Sequence, residues 1–494
     1  MAGRLSGHRA ALTWTCLASL VFYLSWNPAH AWVLAATLSF NYWLSKQLIQ
    51  PDFPARRALM VIGVITNAAF LAVFKVMAGG IWDASGGFSA STQILIPLAI
   101  SFITFQQIAF VVDVYKRRIK TLNWLDYLAF ILFFPQLVMG PIVHYRDMAP
   151  QFHRSQLIRW STDNFSVGLA IFIVGLFKKL VIADSIAPYV NDSFTDTSTL
   201  SLLDAWTVII GFQMQLYFDF SGYADMAIGI ARMLNIQLPI NFDSPYKSTN
   251  RFEQWRRWHI SFSVFMRQYI FFPLARNRWL PMNATQALFM VAVFSGFWHG
   301  FGSTFMLWGI AQAVIMLLIH WRRHLIQQLP LRIQSFKIAL PIQVFATFWV
   351  TLMLCVLFRS PDITSAKHLY QSLFNANGLY LPFGWDARYT LYEWTGIASR
   401  HGDILVNSAL GGWLLLAAFI TWCMPNTQQV FSNHWTAMDQ RHESIKDTWS
   451  GFIPYLDRRV RFRPNAGWAI ALGLLLAACI ACMDRSSRFI YYQF

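Results

Sequence analysis

Charge is scarce in this sequence. Only 13% of its 494 residues are Asp, Glu, Lys or Arg, about half the share of an ordinary globular protein. With 56% hydrophobic and 17% aromatic residues, that shortage excludes both a disordered chain and an ordinary soluble enzyme. Cysteine is scarce as well. The five present, Cys16, Cys355, Cys423, Cys479 and Cys482, all lie inside apolar runs, which excludes a disulfide framework and a four-thiolate zinc site. There is no P-loop, no Gly-x-Ser-x-Gly elbow and no dinucleotide fingerprint. Internal repeats, heptads and low-complexity tracts are also lacking. His320 and His324 have a spacing that can hold metal, but their neighbours are Arg322 and Arg323 and no carboxylate or thiolate stands by. They read as cytoplasmic anchors reaching for the interface, and no metal is expected.

What the chain does have is long apolar runs separated by short basic stretches, the pattern of a protein whose solvent is a bilayer. The runs predict an all-α polytopic membrane protein, a single domain over residues 1–494 with about 11 spans. They fall near residues 10–25, 30–45, 58–78, 93–115, 164–185, 203–231, 284–299, 304–320, 339–358, 405–424 and 466–483. Acidic residues number 23 against 39 basic ones, a net charge of +16, and 30 of the 39 lie in alternate connections that the positive-inside rule puts in the cytoplasm. The N-terminus is then cytoplasmic and the C-terminus outside. Because topology explains the charge excess, nucleic acid is not an expected partner, whereas membrane lipid is.

Residues 124–142 do not fit the count, since both flanking connections are basic. Pro135 and the Gly140-Pro141 pair predict a re-entrant hairpin, whose broken backbone must be shielded by protein or line a wet cavity; a full span with one side assigned wrongly is the other reading. Near the N-terminus, Arg4 and Arg9 before an apolar stretch ending at Ala29-His30-Ala31 also admit a signal peptide. The longest outer connection, 359–404, reads as a small folded cap or a docking surface.

Two histidines stand in marked settings, His259 within EQWRRWHIS and His299 within Ser295-Gly296-Phe297-Trp298-His299-Gly300. An ionisable group at the end of an apolar helix suggests a site. A 16-residue run reaches only about 24 Å, short of the roughly 30 Å hydrocarbon core, so His299 is expected in a recess. There a neutral imidazole can accept a proton from a hydroxyl; a histidine that merely satisfies nearby carbonyls is the plain alternative. Tyr217, Asp219, Ser221 and Asp225 lie in one long run. The two carboxylates, six apart, point to different sides of a helix unless it breaks at Gly222, and they are expected to pair with Arg232, Arg256 or Arg257. Between Asp243 and Arg278 stand Lys247, Arg251, Arg256, Arg257, Arg267, Arg276 and Arg278 among aromatics such as Trp258. That block suits either anionic lipid or an anionic nucleotide donor.

The segments PQLVMGPIVHYR (135–146), YFDFSGYADMAI (217–228), WRRWHIS (255–261) and Trp298-His299-Gly300 together resemble the membrane-bound O-acyltransferase (MBOAT) family. The similarity is to its bacterial branch, concerned with alginate O-acetylation and D-alanine export for teichoic acids, and runs from about Leu12 to Phe494. It implies a funnelled helical core, about residues 90–320, and acyl transfer from a cytoplasmic thioester to an outer-side acceptor. His299 matches the principal catalytic histidine and His259 the second active-site position. The tail from 484 to 494 ends in Phe489-Ile490-Tyr491-Tyr492-Gln493-Phe494 and resembles a motif whose tyrosine, matching Tyr491, is proposed as an acyl carrier. Related members usually have a further apolar helix before residue 10, which leaves the orientation of the first span open.

The reading is a transmembrane O-acetyltransferase of the bacterial inner membrane, with acetyl-CoA as donor and no bound cofactor. Lys247, Arg251, Arg256, Arg257 and Trp258 would hold the donor, with Tyr217, Asp219, Ser221, Asp225 and Trp298 as supporting core. An outer-side (periplasmic) acetyltransferase partner would pass acetyl to a polysaccharide of the alginate, cellulose or peptidoglycan type. A lipid or glycan transporter and a membrane scaffold for a polysaccharide synthase are the rival classes.

Overall fold

Apolar runs fold as helices in this chain, and at many of their starts a polar residue takes up free backbone N–H groups. The structure, a computed structural model, describes residues 2–78, 97–194, 197–276, 282–328, 338–374, 380–382, 398–400, 408–434, 438 and 460–485. The first helices are α1 (Ala2–Trp26), α2 (Ala31–Leu48), α3 (Arg56–Ala78) and α4 (Ile100–Tyr115). A broken stretch follows as α5 (Trp124–Leu132), α6 (Phe134–Leu137) and α7 (Tyr145–Phe152), and then α8 (Thr162–Leu176), α9 (Asp184–Asn191) and α10 (Leu202–Met233). Three short helices, α11 (Arg251–Arg257), α12 (Ile260–Phe265) and α13 (Phe272–Ala275), lead into α14 (Ala284–His299) and α15 (Ser303–Gln327). The last group is α16 (Leu340–Arg359), α17 (Ile363–Leu373), α18 (Ser408–Cys423), α19 (Thr427–Val430) and α20 (Ala466–Ala481). Asn123, Ser161, Ser201, Asn250, Asn283 and Asn465 each cap a helix start with the side chain accepting from backbone N–H.

Each expected span falls on a helix. Among the described residues four stretches are long and apolar enough to cross a membrane: Arg56–Val76, Thr162–Asn191, Ser303–Gln327 and Leu340–Arg359. Ile100–Tyr115, Ile260–Ala275, Ala409–Cys423 and Ala466–Ala481 are apolar but shorter. Trp14, Trp32, Ile65, Phe345 and Leu415 are exposed on the outer helix faces, as suits a protein surrounded by lipid.

The longest helix, α10, is the inner post, with almost every residue from Thr207 to Ala231 buried. It meets α8 through glycines: a methyl group on Gly175 would stand 2.6 Å from the Gly222 carbonyl oxygen, and one on Gly222 2.7 Å from that of Gly175. Only hydrogen fits there, so the backbones touch. Past α8 the chain widens into a π-helical turn, Phe177–Ala183. This turn delivers the cations for the carboxylates of α10. Lys178 Nζ lies 2.6 Å from Asp225, and Lys179 Nζ lies 2.6 Å from Asp184 and 2.9 Å from Asp219. The arginines expected in that role are elsewhere: Arg232 donates to the His434 carbonyl at 2.8 Å, Arg257 pairs with Glu253, and Arg256 is exposed. The helix does not break at Gly222, so Asp219 and Asp225 do face different neighbours.

In residues 124–142 the helix stops where Phe133 takes φ −49° and ψ 100°, just before Pro135 opens α6. The broken backbone is wrapped in protein: Phe130, Ile131, Phe133 and Leu137 are buried, and the Gln136 side chain donates to the Phe130 carbonyl at 2.8 Å. The connection 359–404 departs from an all-α expectation, since Tyr380–Pro382 and Ala398–Arg400 pair as two parallel strands. Most of that connection, and the tail from 486 with Tyr491, lie outside the described residues. All five cysteines are free.

Candidate active site

The local chain path explains where each histidine sits. After α11 the backbone must reverse into α12, and His259 makes the turn in a left-handed conformation, φ 44° and ψ 58°. The flanks hold it there: Trp258 N–H donates to the Gln254 carbonyl at 2.9 Å and Ile260 N–H to the Asn241 carbonyl at 2.9 Å. Asn241 also accepts from the Ser261 hydroxyl at 2.6 Å, and Ser261 Oγ accepts from Ile142 N–H at 2.9 Å. Thus the broken segment after Pro141 is tied to the turn that carries His259. The imidazole is 3% exposed, boxed by Phe220 at 4.8 Å, Phe262 at 5.1 Å and Trp298 at 6.2 Å between ring centroids. Neither of its nitrogens has a hydrogen-bond partner among the described residues.

His299 closes α14. Its ring lies 4.8 Å from Phe358 and 5.4 Å from Trp308, nearly perpendicular to both, and 4.3 Å from Trp298. The last carbonyls of α14, which have no partner within the helix, are taken by Lys75 of α3. Its ammonium donates to the carbonyls of Trp298 and, at 3.3 Å, of His299. The helix can approach α15 so closely because positions 296 and 309 are glycine; a methyl group on Gly296 would stand 2.5 Å from the Phe305 carbonyl oxygen.

Both histidines line one cavity of about 100 Å³, walled by α10, α11, α12, α14, α15 and α16. Trp298 stacks on Phe262 at 4.5 Å and brings an indole N–H without a partner among the described residues to the same wall. The two unpartnered nitrogens of His259 and the indole N–H of Trp298 thus belong to residues that line the same cavity. Unpaired buried polar atoms cost about 1–3 kcal/mol each, which a polar guest would offset. A neutral imidazole with an open nitrogen, beside a second polar ring, can take a proton from a hydroxyl as that oxygen attacks a carbonyl.

Comparison with known proteins agrees. The peptidoglycan O-acetyltransferase of Helicobacter pylori is 35% identical over 402 residues, 74% of this chain and 74% of its own length. A probable alginate O-acetylase of Azotobacter vinelandii is 33% identical over 500 residues, 97% of this chain and 93% of its own. Residues 114–359 match the membrane-bound O-acyltransferase family as such. The chain belongs to that family. The teichoic acid D-alanyltransferase of Bacillus subtilis is a more distant relative, 28% identical over 231 residues, 44% of this chain and 58% of its own. This MBOAT protein is accordingly an acyltransferase and a multi-pass membrane protein, and the transporter and scaffold classes fall away.

The cavity gathers five of the expected residues, His259, His299, Trp298, Trp258 and Arg251. Tyr217 lies behind Trp258, with ring centroids 6.3 Å apart, and against Tyr246 at 5.0 Å. Asp219, Ser221 and Asp225 are not in the cavity wall. Lys247 is not in it either: its side chain is 2% exposed and donates to the Met424 carbonyl at 2.7 Å. Arg257 lies 2.7 Å from Glu253. Burial works to raise the pKa of that carboxyl, but hydrogen bonds from the Thr249 N–H and hydroxyl, with the Arg257 charge, hold it below the ordinary value. Arg256 remains exposed. Gln254, Gln312, Thr351 and Cys355 also reach the wall, and no motif announced them. Lys75 had one signal, a lone cation within an apolar run.

Proposed function

We propose that this chain is a transmembrane O-acetyltransferase that relays acetyl from cytoplasmic acetyl-CoA to an outer-side acceptor for a cell-surface polysaccharide. The observation that carries the reading is the shared cavity, where His299 and a His259 with both nitrogens open meet at the junction of six helices. The activities of the relatives, O-acetylation of peptidoglycan and alginate, support the acyl group and the class of acceptor.

In this reading the chain crosses the inner membrane eleven times, N-terminus in and C-terminus out, with residues 124–142 re-entrant. Coenzyme A cannot cross hydrocarbon with its phosphates, so thioester and acceptor meet from opposite sides. Arg256 and Trp258 hold the donor at the cytoplasmic mouth, and Arg251 stands deeper. His299 takes the proton of the acceptor hydroxyl as its oxygen attacks the thioester carbonyl. The carbon–sulfur bond breaks, and the imidazolium returns the proton to the departing thiolate. His259 orients and polarises the carbonyl. Tyr491 supplies the acceptor hydroxyl, and a periplasmic acetyltransferase partner moves acetyl onward to the polymer.

Replacing His299 by Ala tests this. Polysaccharide acetylation is expected to fall at least about a hundredfold while the amount of protein in the membrane stays the same; retained acetylation rejects the assignment.

A further inference from the structure

A lysine near the end of an apolar span ordinarily serves its own helix, by taking the last carbonyls or by stretching to the interface. Lys75, in the last turn of α3, turns to another helix instead. Its ammonium donates to the carbonyls of Trp298 and, at 3.3 Å, of His299, and stands 5.6 Å from the centre of the Trp298 ring. The end of α14 needs such a donor. Many helix ends are closed by a residue that turns left-handed and brings N–H groups back onto the last carbonyls. Gly300 runs on extended, with φ 175° and ψ 164°, and its own N–H reaches only the Gly296 carbonyl at 3.4 Å. The carbonyls of residues 298 and 299 lie past the helix's own bonding, at the negative end of its dipole. The cation that meets them comes from α3.

What hangs on that helix end is the working part of the cavity. His299 is the last residue of α14, so no further turn holds its backbone. Trp298 touches both histidines, with ring centroids 4.3 Å from His299 and 6.2 Å from His259, and it stacks on Phe262 at 4.5 Å. A tilt of residues 298 and 299 would therefore move two walls of the site together. Leu71, one turn before Lys75 on α3, packs into the same aromatic cluster as Phe105, Phe262 and Trp298, which roots the lysine in that wall. We propose that Lys75 is a positioning residue for acyl transfer. It does not line the cavity; it acts through the backbone of Trp298 and His299, fixing the imidazole and the indole at the angle where a hydroxyl and a thioester carbonyl meet. The role rests on the reading of His299 as the base.

The test compares Lys75→Met, Lys75→Gln and Lys75→Arg in the full-length chain in native membranes, following coenzyme A released from acetyl-CoA per amount of folded protein. Misplacement by a fraction of an ångström is felt in the rate rather than in donor binding. For Lys75→Met, kcat is expected to fall about tenfold or more while the KM for acetyl-CoA stays within about twofold. Lys75→Arg, which keeps the charge and can reach two carbonyls, should hold most of the rate, and Lys75→Gln should fall below it. Hydrogen exchange at residues 296–301 should quicken about tenfold in Lys75→Met. A helix cap with no part in transfer would lower the amount of folded protein and leave kcat alone; that result overturns the proposal, as does an arginine variant no better than methionine. If Lys75→Met does not accumulate, the ratio of kcat between the arginine and glutamine variants decides in its place. His299→Ala, run alongside, separates the two readings. Wild-type kcat in Lys75→Met with His299→Ala inactive removes the positioning role and leaves the base, whereas full activity in His299→Ala removes the base and the positioning role with it.

Discussion

At the scale of the residue, His259 combines two unfavourable features. A left-handed backbone at a side chain other than glycine costs about 1–2 kcal/mol, and a buried imidazole without partners costs about 1–3 kcal/mol more. Its neighbours Asn241, Gln254 and Ser261 hold this arrangement by backbone and side-chain hydrogen bonds, and such a feature persists because the surroundings over-determine it. His259→Asn separates the two costs, since Asn tolerates the left-handed region but lacks the ring. Thermal unfolding in detergent should show stability within about 1 kcal/mol of wild type, while acetyl transfer falls by about tenfold or more. Transfer at wild-type rate by that variant would make His259 a structural residue. The motif around His259 was legible in the sequence because it is local. The emptiness around its nitrogens was not, being set by Phe220 and Trp298, 39 residues away on either side.

Among the elements, what the sequence hides is the company each helix keeps. Long apolar stretches are easily located, since their composition shows in the sequence and many begin at a capping residue such as Ser161, Ser201 or Asn283. Charged partners are different. Lys178 and Lys179 read as stray cations within a span, and only the widened turn at Phe177–Ala183 aims both at α10. Removing one member of a buried pair strands the other, at about 3–5 kcal/mol, whereas replacing both by apolar residues is often neutral. Lys178→Met should therefore lower the thermal midpoint and the amount of folded protein, and Lys178→Met with Asp225→Leu should recover much of the loss. If the double variant is worse than the sum of the single ones, the Thr427 hydroxyl, 2.7 Å from Lys178 and 2.6 Å from Asp225, carries more of the contact than the ion pair. The hairpin of α14 and α15 tests packing in the same spirit. Gly296→Ala must push the helices apart against the Phe305 carbonyl, and overpacking of this kind costs about 1–3 kcal/mol. Because the shift moves Phe305 and Trp308 on the ring of His299, transfer should decline more than stability does; an unchanged rate would show that the hairpin has slack.

For the whole molecule the question is direction. In the proposed orientation, argued from the 30 of 39 Lys and Arg residues in the basic connections, the α11 block meets the cytoplasm and the C-terminus lies on the other side. That proposal would set the exposed Arg256 on the side where a nucleotide donor arrives and Tyr491 on the side of the acceptor. Transfer across the membrane then needs no movement of coenzyme A, only a cavity reached from both faces, with the acyl group changing owner inside it. Were Tyr491 the first owner, acetyl should accumulate on it whenever the next step is blocked. In cells lacking the periplasmic partner, mass spectrometry of the C-terminal peptide should find one added acetyl group on Tyr491. The label should vanish in Tyr491→Phe and in His299→Ala. An unlabelled peptide in the partner-deficient cells, with His299 intact and coenzyme A still released from acetyl-CoA, would mean that acetyl passes directly from the thioester to an acceptor brought in from outside.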